Sequence, residues 1–177
     1  MVTIVPLISE KRLTQKVKKL AQQISKDYKN KTPLLVGVLK GAWVFMADLV
    51  RNITIPVNCD FLQVSSYGDA TESSGVVKIV TDLKCAIENR DIILVEDIVD
   101  TGLTLKYITD YLSLKKPRSI KICSLLDKPA RHKIRVKIDY LGFKVPNKFV
   151  VGYGIDYQEL YRNLPYIAYV KFDKSEK

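Results

Sequence analysis

The sequence predicts an α/β domain: a mostly parallel central sheet flanked by helices, with a small hood over one edge and a mobile loop. Three observations carry this expectation. Residues 34–38 are a short run that is apolar throughout, the pattern of a parallel strand covered on both faces, and 91–95 and 119–126 are further apolar, strand-like runs. Apolar residues between these runs recur at helical spacing. A short connection joins each strand to the next helical period, as in α/β units. The 177 residues fit one domain, 1–177, with a core that needs no disulfides. Hydrophobic residues make up 47% and charged residues 27%, which excludes a disordered chain.

Along the chain, Leu13, Val17, Leu20, Ala21 and Ile24 mark one buried stripe of a first helix. Ser9 stands where an N-cap is expected, and Glu10 suits the positive end of the helix dipole. Residues 30–33, from Asn30 to Pro33, end it. The strand 34–38 leads through Leu39, Lys40 and Gly41 into a largely buried helix at 42–50, in which Trp43 and Phe45 read as packing residues. Residues 58–66 and 75–81 read as strands. The polar, glycine-flanked segment 67–74 between them reads as a mobile loop or long hairpin turn. Residues 91–95 form the clearest core strand and run straight into Glu96 and Asp97. A helical period follows at Leu105, Ile108, Tyr111, Leu112 and Lys115. Strands are expected at 119–126, 149–152 and 165–170.

Composition narrows the function. No apolar run approaches ~20 residues, so a membrane span is not expected. The N-terminus lacks the pattern of a secretion signal, and the expected compartment is the cytoplasm. Cys59, Cys85 and Cys123 are scattered and form no CxxC, so they read as reduced, mostly buried thiols. One histidine, His132, argues against a zinc site and against a histidine-based nucleophile pair. It sits in a basic loop and reads as solvated. Lysine and arginine total 29 against 19 acids, a net charge of +10. Such a field suits either RNA or a small, highly phosphorylated substrate.

The segment 92–104 carries the chemistry. Ligands of open α/β sheets bind beyond the carboxyl ends of strands. Two adjacent acids there, Glu96 and Asp97, call for hydroxyls or a hydrated cation as partners. Asp100 adds a third acid. Thr101, Gly102 and Thr104 open a helix whose free N–H groups and hydroxyls suit a phosphate. Acidic pair, third acid and cradle together describe a phosphosugar site; the alternative is a surface turn capped by Asp100 and Thr101.

This segment resembles the phosphoribosyl diphosphate signature of the type I phosphoribosyltransferases, and the chain more narrowly resembles bacterial hypoxanthine-guanine phosphoribosyltransferases. The resemblance runs from about Val5 to Tyr169. Its motifs come in the family's order: 39–41, 65–68, 96–104, 124–128, and 149–153 continuing to Asp156 and Arg162. It implies the type I phosphoribosyltransferase fold, with the hood built from N-terminal residues and about 127–170. It also implies magnesium-dependent transfer of the 5-phosphoribosyl group of phosphoribosyl diphosphate to N9 of hypoxanthine or guanine. The products would be IMP or GMP and diphosphate.

The resemblance also implies roles. Glu96 and Asp97 would face the ribose 2′ and 3′ hydroxyls, partly through one magnesium ion. Asp100 would hydrogen-bond purine N7 and act as general base. Thr101, Gly102, Leu103 and Thr104 would hold the 5′-phosphate, Leu103 through its backbone. Leu39, Lys40 and Gly41 would form the diphosphate loop. Asp156 would hold a second magnesium ion on the diphosphate side, and Arg162 would contact diphosphate. Lys128 would donate to the purine O6, Phe149 would stack on the base, and Val150 and the Asp156 carbonyl would offer backbone atoms to its edge. Ser66 and Tyr67 would belong to the lid and contact the leaving diphosphate. A homodimer or homotetramer is expected, with no nucleic acid or membrane partner. The competing readings are a phosphoribosyltransferase for xanthine or another base, and an RNA-binding regulator on the same fold.

Overall fold

Side-chain alternation along the central strands decides how the layers stack. The protein is described by a computed structural model covering residues 2–67 and 76–172. In chain order its elements are β1 (Val2–Ile8), α1 (Glu10–Asp27), β2 (Leu34–Leu39), α2 (Trp43–Asn52), β3 (Asn58–Tyr67), β4 (Val76–Thr81), β5 (Asp91–Val99), α3 (Leu103–Ser113), β6 (Ser119–Asp127), β7 (Tyr140–Lys144), β8 (Val150–Val151) and β9 (Ile167–Phe172). Leu35, Ile93, Val95, Cys123 and Leu125 turn to one face and pack against Leu13, Val17, Leu20 and Ile24 of α1 and Phe45 and Leu49 of α2. The alternate set, Leu34, Val36, Ile92, Leu94 and Ile122, packs against Leu105, Ile108 and Leu112 of α3. Each such buried side chain contributes about 1.5–3 kcal/mol, so both faces of the sheet are strongly fixed.

The main sheet has the order β4-β3-β2-β5-β6-β7. Pairing is parallel from β3 through β7, and β4 is antiparallel at the edge. Parallel pairing puts the carboxyl ends of β2, β5 and β6 on one rim. The connections that begin at Leu39, Val99 and Asp127 therefore emerge side by side. A second, antiparallel sheet of order β1-β9-β8 forms the hood. Val150, Tyr153, Ile155 and Ile167 bind it to the α1 side of the core.

The structure departs from the sequence reading in several places. β5 does not stop at Val95 but continues through Glu96 and Asp97 to Val99, paired with β6 along its length. β1 and β7 are additional strands; β7 closes the edge of the main sheet. Ser9 takes the N-cap position of α1, with extended backbone, but makes no capping side-chain hydrogen bond. Trp43 is 50% exposed, because it lies on the outer side of α2, while Phe45 is buried. Of the thiols only Cys123 is buried; Cys59 is exposed and Cys85 half-buried. His132 is only partly solvated: its Nε2 lies 2.7 Å from Asp127 Oδ1, and the pair ties the loop after β6 to the end of that strand. The loop expected at 67–74 falls almost wholly outside the described residues. Among the described residues, no helix is long and apolar enough to cross a membrane.

Candidate active site

The rim where β2, β5 and β6 end gathers most of the predicted residues. Glu96 is buried, and its Oε2 has no hydrogen-bond partner. Burial, and then the charge of Asp97, push its carboxyl well above the usual carboxylate range. Asp97 is half-buried; burial pushes it up to about 6, against the pull of the Ile98 N–H, which donates to Oδ1 at 2.7 Å. Arg162 lowers and Asp156 raises its affinity for a proton, so both lie within its electrostatic reach. Two neighbouring carboxyls held this tightly lack the counter-charge that burial demands.

Gly41 lets Asp97 approach the 39–41 connection. A Cβ there would stand 1.7 Å from Asp97 Oδ2, so any other residue displaces that carboxylate. The Leu39–Lys40 peptide bond is cis. The turn into α3 is also tight. Gly102 has φ +82°, and a Cβ on it would lie 2.4 Å from the Ile134 carbonyl oxygen. The Lys133 and Ile134 N–H groups donate to the Thr101 carbonyl at 3.0 and 3.1 Å, which fixes the loop after β6 over this turn. Leu103 N–H meets Thr101 Oγ1 at 3.4 Å. The first intrahelical bond of α3 is Lys106 N–H to the Gly102 carbonyl, so the helix offers its opening N–H groups here. A small cavity of about 70 Å³ lies between Glu96, Asp100, Thr101, Gly102 and Thr104.

Asp100 sits beside this cradle. Its Oδ1 accepts from Arg131 Nε at 3.1 Å, and its Oδ2 lies 3.8 Å from Lys128 Nζ. Lys128 is 7% exposed. Burial, only partly offset by Asp100, pulls its ammonium below the usual lysine range. From the hood, Phe149 presents a ring that is 47% exposed, packed edge-to-face on Tyr157 at 5.3 Å, so it is not a core residue. Val150 is buried next to it. Asp156 Oδ1 pairs with Arg162 Nη2 at 2.8 Å, and Arg162 Nη1 donates to the Gly154 carbonyl at 2.9 Å.

The model of the phosphoribosyl transferase domain matches residues 8–158 of this chain. The hypoxanthine-guanine phosphoribosyltransferase of Bacillus subtilis is 52% identical over 165 residues, 93% of this chain and 92% of that protein. The chain belongs to the hypoxanthine-guanine type of the phosphoribosyltransferase family. The crystal structure of a hypoxanthine-guanine phosphoribosyltransferase from Bacillus anthracis superposes with a TM-score of 0.91 at 46% identity, covering 97% of this chain and all of that one. A hypoxanthine phosphoribosyltransferase from Staphylococcus aureus gives 0.90 at 48% identity, covering 94% of this chain and 90% of that one. The chain also matches the "Bifunctional protein TilS/HprT" of Listeria innocua at 50% identity, where it spans 93% of its own length but 26% of the longer protein.

Seen as a member of this family, the chain brings Leu39, Lys40, Gly41, Glu96, Asp97, Asp100, Thr101, Gly102, Leu103, Thr104, Lys128, Phe149, Val150, Asp156 and Arg162 to the rim or to the hood beside it. The side chains of Ser66 and Tyr67 lie outside the described residues. Two residues at the site were absent from the sequence reading: Arg131, which holds Asp100, and Glu159, which holds Lys40. Each acts on a partner far along the chain, so no local motif announces it. A cavity of about 520 Å³ between α3 and residues 135–139 lies away from all these groups.

Proposed function

We propose that this protein transfers the 5-phosphoribosyl group of phosphoribosyl diphosphate to N9 of hypoxanthine or guanine, releasing diphosphate and IMP or GMP, as a purine-salvage enzyme. The observation that carries this reading is the pairing of Asp100 with buried Lys128 beside a phosphate cradle. A 6-oxopurine offers a proton to accept and a carbonyl to satisfy. A carboxylate and an ammonium on one rim complement both.

Thr101, Gly102, Leu103 and Thr104 bind the 5′-phosphate through the turn and the first turn of α3. Glu96 and Asp97 face the ribose hydroxyls, and their charge favours the cationic ribose that develops as diphosphate departs. Asp100 accepts the purine proton, a role in which a well-placed carboxylate contributes typically ~100- to ~10,000-fold. Its hydrogen bond to Arg131 fixes the carboxylate in the meantime. Lys128 donates to O6. Adenine brings an amine there and leaves the ammonium unpaired, the kind of mismatch that buried polar groups reject strongly. Phe149 stacks on the base, and Val150 and the Asp156 carbonyl meet its edge. Lys40 and Arg162 draw off the leaving diphosphate, and Ser66 and Tyr67 close over it.

The carboxylates fit magnesium. Glu96 Oε2 is a buried acceptor without a donor, and burial pushes Asp97 up. Magnesium prefers carboxylate and substrate oxygens and keeps several waters. Glu96 and Asp97 would hold one ion at the ribose, and Asp156 a second at the diphosphate. Bound there, magnesium neutralises the charge of the leaving group. We further propose a homodimer or homotetramer in the cytoplasm, with neither nucleic acid nor membrane as partner. The test of this reading is chromatographic detection of IMP from hypoxanthine and phosphoribosyl diphosphate, with and without magnesium. Magnesium-dependent IMP supports it; folded protein without product refutes it.

A further inference from the structure

Lys40 and Arg162 are the cations that the proposed reaction assigns to diphosphate, yet neither is free. Lys40 Nζ donates to Glu159 Oε2 at 3.1 Å, and Arg162 Nη2 lies 3.3 Å from the same oxygen. Lys40 and Glu159 are 119 residues apart, one on the connection after β2 and the other on the hood turn between β8 and β9. One anionic oxygen shared by these two cations is the arrangement that a diphosphate oxygen would make.

Building on that functional reading, we propose that Glu159 is an internal stand-in for the diphosphate group: its carboxylate holds Lys40 and Arg162 until substrate displaces it, and returns to them as diphosphate leaves.

Three features separate this role from that of a structural brace. First, the turn around Glu159 is closed by bonds that do not use its carboxylate. The Glu159 N–H donates to Asp156 Oδ2 at 2.9 Å, and the Tyr157 and Leu160 backbones bond to each other. Second, Arg162 stays positioned without Glu159, through Asp156 Oδ1 at 2.8 Å and the Gly154 carbonyl at 2.9 Å. Removing the carboxylate therefore frees cationic N–H groups without releasing the arginine. Third, the Lys40 and Glu159 side chains are 57% and 67% exposed, so water and screening keep their attraction modest. An entering polyanion with several charges outcompetes a single exposed carboxylate. The Lys40 hydrogen bond, and then that of Arg162, hold the Glu159 carboxyl below its usual range, so it is an anion at neutral pH.

The stand-in opposes ligand binding, whereas a brace presenting Lys40 would assist it, and the two roles give opposite signs. Glu159→Gln keeps the size of the side chain and removes its charge; Glu159→Ala removes the contact altogether. Titration of inorganic diphosphate with magnesium into wild type and both variants reads the effect directly. The expected result is tighter binding in both variants, by up to about five-fold, the scale of one exposed ion pair. The KM for phosphoribosyl diphosphate falls alongside, the KM for hypoxanthine stays fixed, and the difference from wild type narrows as salt is raised. Equal or weaker diphosphate binding by the folded variants, with wild type binding normally, overturns the stand-in role and leaves the proposed reaction intact. Wild type that neither binds diphosphate nor forms IMP overturns the proposed reaction itself.

Discussion

Replacing Lys128 with methionine separates the two things this residue does. In the protein it is a poorly compensated buried charge: 7% exposed, with Asp100 Oδ2 at 3.8 Å, beyond hydrogen-bond distance. Burial already pulls its ammonium below the usual lysine range. Methionine has similar length and no charge to desolvate, so Lys128→Met should leave thermal stability unchanged or raise it. Toward substrate the effect reverses. A buried hydrogen bond from a charged donor contributes about 1.5–3 kcal/mol, and its loss lowers kcat/KM for hypoxanthine and guanine by about 10- to 150-fold. Adenine, which gains nothing from the ammonium, should lose far less, so the preference for 6-oxopurines contracts by a similar factor. The assay is initial rates with each base beside a thermal melt. A variant that melts several degrees lower, or that keeps wild-type preference for hypoxanthine over adenine, refutes this account of Lys128.

Asp100→Asn should lower kcat by about 100- to 10,000-fold while the KM for phosphoribosyl diphosphate changes little, measured by steady-state kinetics. Gly102→Ala places a Cβ 2.4 Å from the Ile134 carbonyl oxygen at φ +82°; the left-handed backbone alone costs about 1–2 kcal/mol, so a melt should show Tm lower by at least about 3 °C, with a higher KM for phosphoribosyl diphosphate. At the opposite end of β5, burial pushes Asp91 up, but the Ser119 hydroxyl, Lys31 and Arg118 bring it net below its usual range. Its folded value lies under the unfolded one of about 3.9, so its contribution is complete above that pH and is lost as pH falls through the folded value. Denaturant melts should show Asp91→Asn less stable than wild type at pH 7, with the gap closing below about pH 4.

How much of this was legible in the sequence depended on whether the deciding contact was local. Strands β2, β5 and β6 announce themselves because they are buried on both faces and are rich in apolar residues over most of their length. The cradle is legible because Thr101, Gly102 and Thr104 fall within four successive residues of one turn. β1 and β7 lie at sheet edges: Pro6 interrupts the first, and the second spans five residues with a glycine at its centre. Neither has a long enough run to be read alone. Trp43 carries the composition of a core residue but falls on the outer side of α2. His132 is partly buried against Asp127, which only the path of the loop after β6 brings within 2.7 Å. Arg131 and Glu159 are ordinary charged residues in sequence, and they acquire meaning from Asp100 and Lys40, which only the fold supplies.

The most direct test of the central claim is a parallel set of initial rates with magnesium and phosphoribosyl diphosphate against hypoxanthine, guanine, xanthine, adenine and uracil. Mononucleotide formation from hypoxanthine and guanine, with adenine and uracil at background, is the predicted result. Turnover of adenine or uracil in place of the 6-oxopurines, or no turnover of any base by folded protein, would contradict it.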